Sequence, residues 1–250
     1  FPKFHWRYTT TWSFHYYIIR DENQAPVLAT FFSFALWKDD MLAPASVSEQ
    51  LEETRKQQPY YMTSKVLSMG SLFTEGKHLF IDKSNPKWPM ALKKLLKRAE
   101  QLNQELQGDM VVLRDFEKDN SIATIFNNQG YIKTAMPDSC FLENLNWKTE
   151  DEYLTGLSTR ARKHFRKEVK PFEDKFEVSY LQRPTHTEIG LFYELYKNVK
   201  SNNYSLNTFT YPKSLFEAMA NDPNWEFIVL KLKPQFHPDK ELVPVGVMFC

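Results

Sequence analysis

Glycine is scarce in this 250-residue chain, at 7 residues. With so few, the chain has no Gly-rich phosphate loop of the dinucleotide or Walker kind, and it also lacks a GxSxG elbow and an HExxH helix. Cysteine is scarcer still, at 2. Cys140 and Cys250 exclude a disulfide framework and a thiolate zinc site, which makes a reducing cytoplasm the expected compartment. The six histidines are scattered, and His78, His164, His186 and His237 have no partner at ligand spacing, so no metal is expected. No apolar run approaches the roughly 20 residues that a spanning helix needs, and no secretory signal is visible. An excess of one charge is missing too. With 32 basic against 31 acidic residues, bulk attraction to DNA is not expected.

What is present describes a globular protein. Hydrophobic residues make up 42% and charged residues 25%, and a chain of this length buries roughly 70–75% of its unfolded surface. It is long enough for one large domain or two small ones. Phenylalanine and tyrosine are abundant, at 20 and 12, which favours a packed interior over flexible linkers. The chain starts at Phe1 and stops inside an apparent strand, VPVGVMFC, so it reads as a piece of something longer with an open terminal edge.

The stretch Thr149–Lys170, TEDEYLTGLSTRARKHFRKEVK, is the most unusual. Thr149 and Glu152 form a capping box. Ala161, Phe165, Val169 and Phe172 recur at helical spacing and are expected to face a core. Arg162 and Arg166, with Lys163, Lys167 and Lys170, then stack on the opposite side. Like charges four apart repel, so this face either meets an anion or is a solvated surface.

Elsewhere, Phe14–Arg20 and Val27–Leu36 predict a hairpin across the polar turn Asp21–Gln24. Ser46 and Glu49 predict a capped short helix through Lys56. Lys65–Phe73 reads as a strand, with Gly70 marking a bulge or a close backbone approach. Trp88, Ala91, Leu92, Leu95, Leu96, Ala99, Leu102 and Leu106 trace a helix, with Pro86 near its start and Gly108 as its stop. Met110–Leu113 predicts a buried strand, Asn120–Asn128 a helix ended by Gly130, and Tyr131–Leu142 a strand kinked at Pro137. Together these suggest helices packed on a largely buried sheet.

Further on, Glu177–Leu181, Glu226–Leu232 and Leu242–Cys250 read as strands. Thr185 and Glu188 cap an amphipathic helix with Ile189, Phe192, Leu195, Tyr196 and Val199 inward, and a shorter helix runs from Pro212 to Ala220. Ala25–Phe32 and Val243–Cys250 echo each other as second arms of hairpins. Asp39–Asp40 and Glu52–Glu53 are adjacent pairs that do not share a face, which suits them poorly to paired acid–base work. Glu75, in SLFTEG, is better placed as a base, with a plain turn residue as the alternative.

The run YLTGLSTRARKHFRKEVKPFE, followed by FYELYKNV, YPKSLFEAMA, WEFIVLKL and PVGVMFC, resembles the GNAT superfamily of acyltransferases. More narrowly it resembles the Fem-type, peptidoglycan aminoacyl transferase-like branch with tandem GNAT-like domains. The resemblance implies an α/β fold, a GNAT-like mixed β-sheet flanked by helices in two GNAT-like halves. Residues 1–146 would be the later portion of one half and residues 147–250 the earlier portion of the next. It implies a cytoplasmic, bacterial N-acyltransferase that moves an acyl or aminoacyl group from acyl-CoA or aminoacyl-tRNA to an amine acceptor. A non-catalytic GNAT-like docking module is the alternative. Under this resemblance Glu75 takes the catalytic proton, and Arg160, Arg162, Lys163 and Arg166 bind a phosphate-bearing substrate. Tyr196 and Tyr204 line the acceptor side, with core packing the other role for Tyr196. The family's pyrophosphate loop has only Gly76 at the corresponding place.

Overall fold

The computed structural model describes residues 12–117, 121–137, 143, 145–239 and 241–250; Cys140 lies outside them. The chain forms two compact units. The first comprises Phe1–Ala135 with Asn203–Phe209, and the second comprises Met136–Asn202 with Thr210–Cys250. The sequence seam near Asn146 differs from this division, which falls between Ala135 and Met136 and also returns Asn203–Phe209 to the first unit.

In the first unit, β1 (Ser13–Arg20) and β2 (Pro26–Lys38) form the expected antiparallel hairpin. Its turn is held by Asp21, whose Oδ1 accepts from the Asn23 and Ala25 amides. Alternation along β1 sends Tyr17 and Ile19 inward and leaves Phe14, Tyr16 and Ile18 exposed. The free edge of β2 is shared. β3 (Thr63–Met69) pairs with Ser33–Lys38 and β4 (Leu79–Ile81) with Leu28–Thr30, both antiparallel. β5 (Met110–Val112) then joins β3 in parallel, which makes the sheet mixed.

α1 (Ala45–Arg55) starts earlier than its predicted capping box. Pro44 is its N-cap and no side chain caps it, because Ser46 and Glu49 already lie inside the helix. α2 (Trp88–Glu105) carries the predicted stripe, and Ala91, Leu92, Leu95, Leu96, Ala99 and Leu102 are all buried against Val27, Leu28, Phe32, Leu67 and Met69. Its first turn holds Pro89, not Pro86. Its end also differs from expectation. Gln107 takes the left-handed turn (φ +55°), while Gly108 donates its amide to Asn103 O at 2.8 Å. A Cβ at Gly108 would lie 2.0 Å from Asn103 Oδ1, so any other residue there would force the Asn103 side chain to shift.

α3 (Ala123–Asn128) brings Ile122, Ile125 and Phe126 to the same core, and the predicted start at Asn120 lies outside the described residues. The strand expected over Tyr131–Leu142 does not form in residues 131–137. Only Tyr131 reaches the core, while Ile132 is 92% exposed, so alternation there never gains a buried face. Residues 138–142 lie outside the described set.

The second unit opens with a correction to the basic stretch. It is not one helix. α4 (Glu150–Gly156) ends at an extended Leu157, and Ser158 caps a new helix, α5 (Thr159–His164), by accepting from Ala161 N. A π-turn at Phe165–Val169 and a 3-10 turn at Lys170–Lys175 follow. These changes of period scramble the apolar stripe: Val169 and Phe172 are exposed, and Ala161 and Phe165 only half-buried. The Thr149 cap itself is real, with Thr149 Oγ1 accepting from Glu152 N.

β6 (Phe176–Leu181) leads to α6 (His186–Asn202), capped by the predicted reciprocal box of Thr185 and Glu188. α7 (Lys213–Asn221), β7 (Phe227–Leu232) and β8 (Val243–Phe249) complete an antiparallel sheet of order β6-β7-β8. Ile189, Phe192, Phe216, Met219, Phe227 and Val229 form its core, whereas Val199 is exposed. As the sequence echo predicts, β2 and β8 are each the second arm of an antiparallel hairpin. Among the described residues no helix is long and apolar enough to cross a membrane.

Candidate functional site

A convergence of polar groups lies in the first unit, where the parallel strands end. β3 and β5 pair over only three positions, Val66↔Met110 to Ser68↔Val112. Beyond them β3 continues to Gly70, which bridges Phe32 of β2 and donates its amide to Phe31 O at 2.9 Å. β5 instead turns away through Arg114 and Asp115. Ligands of open α/β sheets bind at such carboxyl ends of strands.

Gly70 has φ +75°, and a Cβ on it would stand 2.5 to 2.7 Å from three atoms of the His78 ring. The close approach read from the sequence at this glycine is thus made by an imidazole. His78 immediately precedes β4, and its backbone carbonyl accepts from Thr30 Oγ1 at 2.7 Å. Its Nε2 lies 2.9 Å from Asp115 Oδ2, with the His78 side chain only 5% exposed. Asp115 is itself left-handed, at φ +64°, a conformation that costs a non-glycine residue and is found disproportionately at functional sites. Arg114 completes the cluster. Its Nη1 donates to Ser71 O at 2.7 Å and its Nε stands 3.1 Å from Asp115 Oδ2, out of line for a hydrogen bond.

Glu75, the base expected from the sequence, is exposed in the turn after Ser71 and has no partner among the described residues. The turn does not offer an anion cradle either. The Ser71 amide donates to Thr74 Oγ1, the Phe73 amide to Ser71 Oγ, and the Thr74 amide to Ser71 O. Backbone donors spent on each other are not available to a pyrophosphate. Only Gly76, at φ +97° with open space around it, remains as a free approach.

The four basic residues lie together in the second unit, but they are not equivalent. Arg162 folds back on α4, donating to Leu157 O at 2.6 Å and Thr155 O at 3.2 Å. It closes a helix C-terminus, where a cation is favoured. Arg160, Lys163 and Arg166 are exposed and have no partner among the described residues. Lys170 is bound by Glu150 and Glu173, whose carboxylates push its ammonium up to about 12.

Tyr196 is a packing residue. It is half-buried among Tyr193, Tyr211 and Phe216, its hydroxyl accepts from Tyr211 N at 2.9 Å, and burial raises its pKa. Tyr204 is half-buried in Asn203–Phe209, the segment that belongs to the first unit. The predicted acceptor-side tyrosines therefore belong to different units.

A second buried polar cluster in the first unit brings together one member of each adjacent carboxylate pair. Asp40 and Glu52 meet Arg55 at 2.6 and 2.7 Å, Lys38 meets Glu52 at 2.7 Å, and the Asn207 amide donates to both carboxylates at 2.8 Å. Burial pushes the Asp40 carboxyl up, but the Arg55 and Asn207 hydrogen bonds outweigh it and hold the pKa at about 2. Every charge has an opposite partner, as a stabilising buried network requires. This cluster fastens Asn203–Phe209 into the first unit, and Lys38 also lies over the Phe209 ring. No group of His, Cys, Asp and Glu suited to a metal ion occurs among the described residues.

No family model matches this chain, and no curated protein matches it. Among solved structures it is similar to FemX, at 17% sequence identity and a TM-score of 0.48, over 90% of this chain and 50% of FemX. The chain spans about half the length of that protein.

Proposed function

We propose that this chain is part of an N-acyltransferase that moves an acyl or aminoacyl group from an activated donor, acyl-CoA or aminoacyl-tRNA, to an amine. The observation that carries this reading is the parting of parallel strands β3 and β5 beyond Ser68 and Val112. An amine attacking a thioester or ester carbonyl needs backbone donors directed at the developing oxyanion; the Gly70, Ser71, Phe73 and Thr74 amides are already spent, which leaves the β5 side beyond Val112 to supply them. Both donor classes carry phosphates. The exposed Arg160, Lys163 and Arg166 of the second unit suit them, since guanidinium forks match phosphate oxygens. Cysteine usage fits a cytoplasmic setting for this chemistry.

The test is calorimetry with CoA and with tRNA at two salt concentrations. Arg160→Lys and Arg166→Lys should each weaken binding about 3- to 10-fold, roughly 0.7–1.4 kcal/mol, and affinity should fall as salt rises. If neither ligand binds, or both variants bind as the parent does, the basic segment is a solvated surface.

The docking-module reading is favoured by a different observation. One face of the second sheet carries Val178, Tyr180 and Met248, which are 52%, 66% and 60% exposed. An uncharged sheet face of this kind commonly marks an interaction surface. A chain that binds no donor and elutes with a bound protein would support it.

A further inference from the structure

We propose that His78 is the proton acceptor for the reacting amine, with Asp115 as its positioning residue, at the carboxyl ends of β3 and β5; this rests on the acyl-transfer reading above. Three contacts hold the imidazole in one orientation: Gly70 against its ring, the Phe31 ring edge-on at 6.0 Å, and Asp115 on Nε2; the Thr30 hydroxyl fixes the His78 backbone carbonyl. A carboxylate can only accept, so Nε2 carries the hydrogen and the lone pair sits on Nδ1.

Nδ1 is open. The ring atoms nearest Gly70 are Cδ2, Cγ and Nε2, which puts Cε1 on the far side. Nδ1 makes no hydrogen bond among the described residues. One nitrogen fixed by a carboxylate and the other free at a strand end is the arrangement of an oriented base. Beside the pair, Asp115 takes a left-handed φ and the Arg114 Nε is buried without an aligned acceptor.

In the reaction, the amine nitrogen forms a bond to the donor carbonyl carbon and gives its proton to His78 Nδ1. Asp115 stabilises the imidazolium. The C–S bond of a thioester, or the C–O bond of an aminoacyl ester, breaks as the proton passes from Nδ1 to the departing sulfur or oxygen. No oxidant or metal is required.

The test uses the full chain, with acetyl-CoA and aminoacyl-tRNA as donors and glycinamide as the amine. His78→Ala should slow aminolysis about 100-fold or more without loss of the thermal transition, and added imidazole should restore part of the rate. His78→Gln, which can keep an amide hydrogen on Asp115, should be equally slow and guards against a folding defect in the alanine variant. Asp115→Asn, tolerated at positive φ, should be slowed about 10-fold or more with little change in KM. A parent chain inactive with both donors overturns the acyl-transfer reading and this proposal with it. An active parent with equally active His78 variants leaves that reading standing and overturns the proposal alone. Folded His78 variants that are slow but not rescued by imidazole also overturn it, because His78 is then only a structural tie.

Discussion

Gly70 and Gly76 bracket the same turn, both at positive φ, and the pair separates two costs that usually come together. At Gly76 a Cβ meets nothing within 4 Å, so Gly76→Ala is charged only for left-handed backbone, about 1–2 kcal/mol. At Gly70 the same backbone cost applies, and the Cβ would also stand 2.5 Å from His78 Cδ2. The ring cannot simply swing aside, because its Nε2 is bound to Asp115. Overpacking of this kind costs a further 1–3 kcal/mol or so, giving about 2–5 kcal/mol for Gly70→Ala in all. Urea denaturation of the two variants, with m-values compared, measures the difference. A difference below about 0.5 kcal/mol would refute the claim that the imidazole is fixed against this glycine.

Two further perturbations test the rest of the first unit. Asn207→Ala removes three hydrogen bonds to charged groups, each worth about 1.5–3 kcal/mol, and should destabilise by about 3–5 kcal/mol allowing for relaxation. Because the folded pKa of Asp40 is depressed to about 2, its contribution is complete above the ordinary carboxylate value near ~4 and is lost as pH falls through about 2. Acid unfolding followed by circular dichroism should therefore begin at higher pH in Asn207→Ala than in the parent. Leu96→Ala, at a fully buried position of α2, should cost about 2–5 kcal/mol in thermal or urea melts; a loss under about 0.5 kcal/mol would mean that the stripe is not packed.

Periodicity made most elements legible. The alternation of FHYYIIR and the Leu/Ala stripe of α2 each have a single physical solution once one face is buried. β4 escaped because three residues carry no period, and its pairing is decided by the free edge of β2. The break at Leu157–Ser158 was written in the sequence as a serine ahead of TRAR, but a strong basic pattern made one long helix look natural. Arg162 could not be separated from its neighbours by spacing alone, since its role depends on where the α4 carbonyls end. The His78–Asp115 pair lay further out of reach. The two residues are 37 positions apart on irregular segments, and only the parallel register of β5 on β3 brings them together. Gly70 was the available signal, and it named a close approach without naming what approaches.

The buried charge cluster around Asn207 also sets an order of events during synthesis. Lys38 and Asn207 are 169 positions apart. At about 5–20 residues per second, Lys38, Asp40, Glu52 and Arg55 leave the ribosome roughly 8–34 s before the amide that joins the two carboxylates has been made. For that interval the nascent first unit carries four charges at a place meant to exclude water, lacking the residue that completes their hydrogen bonding. The hairpin and α2 can form early from local contacts, whereas this corner must remain hydrated and close last. A pause in translation before Asn207 would hold the chain with its sheet built and this corner wet, the state in which a protease or a chaperone would find it most accessible.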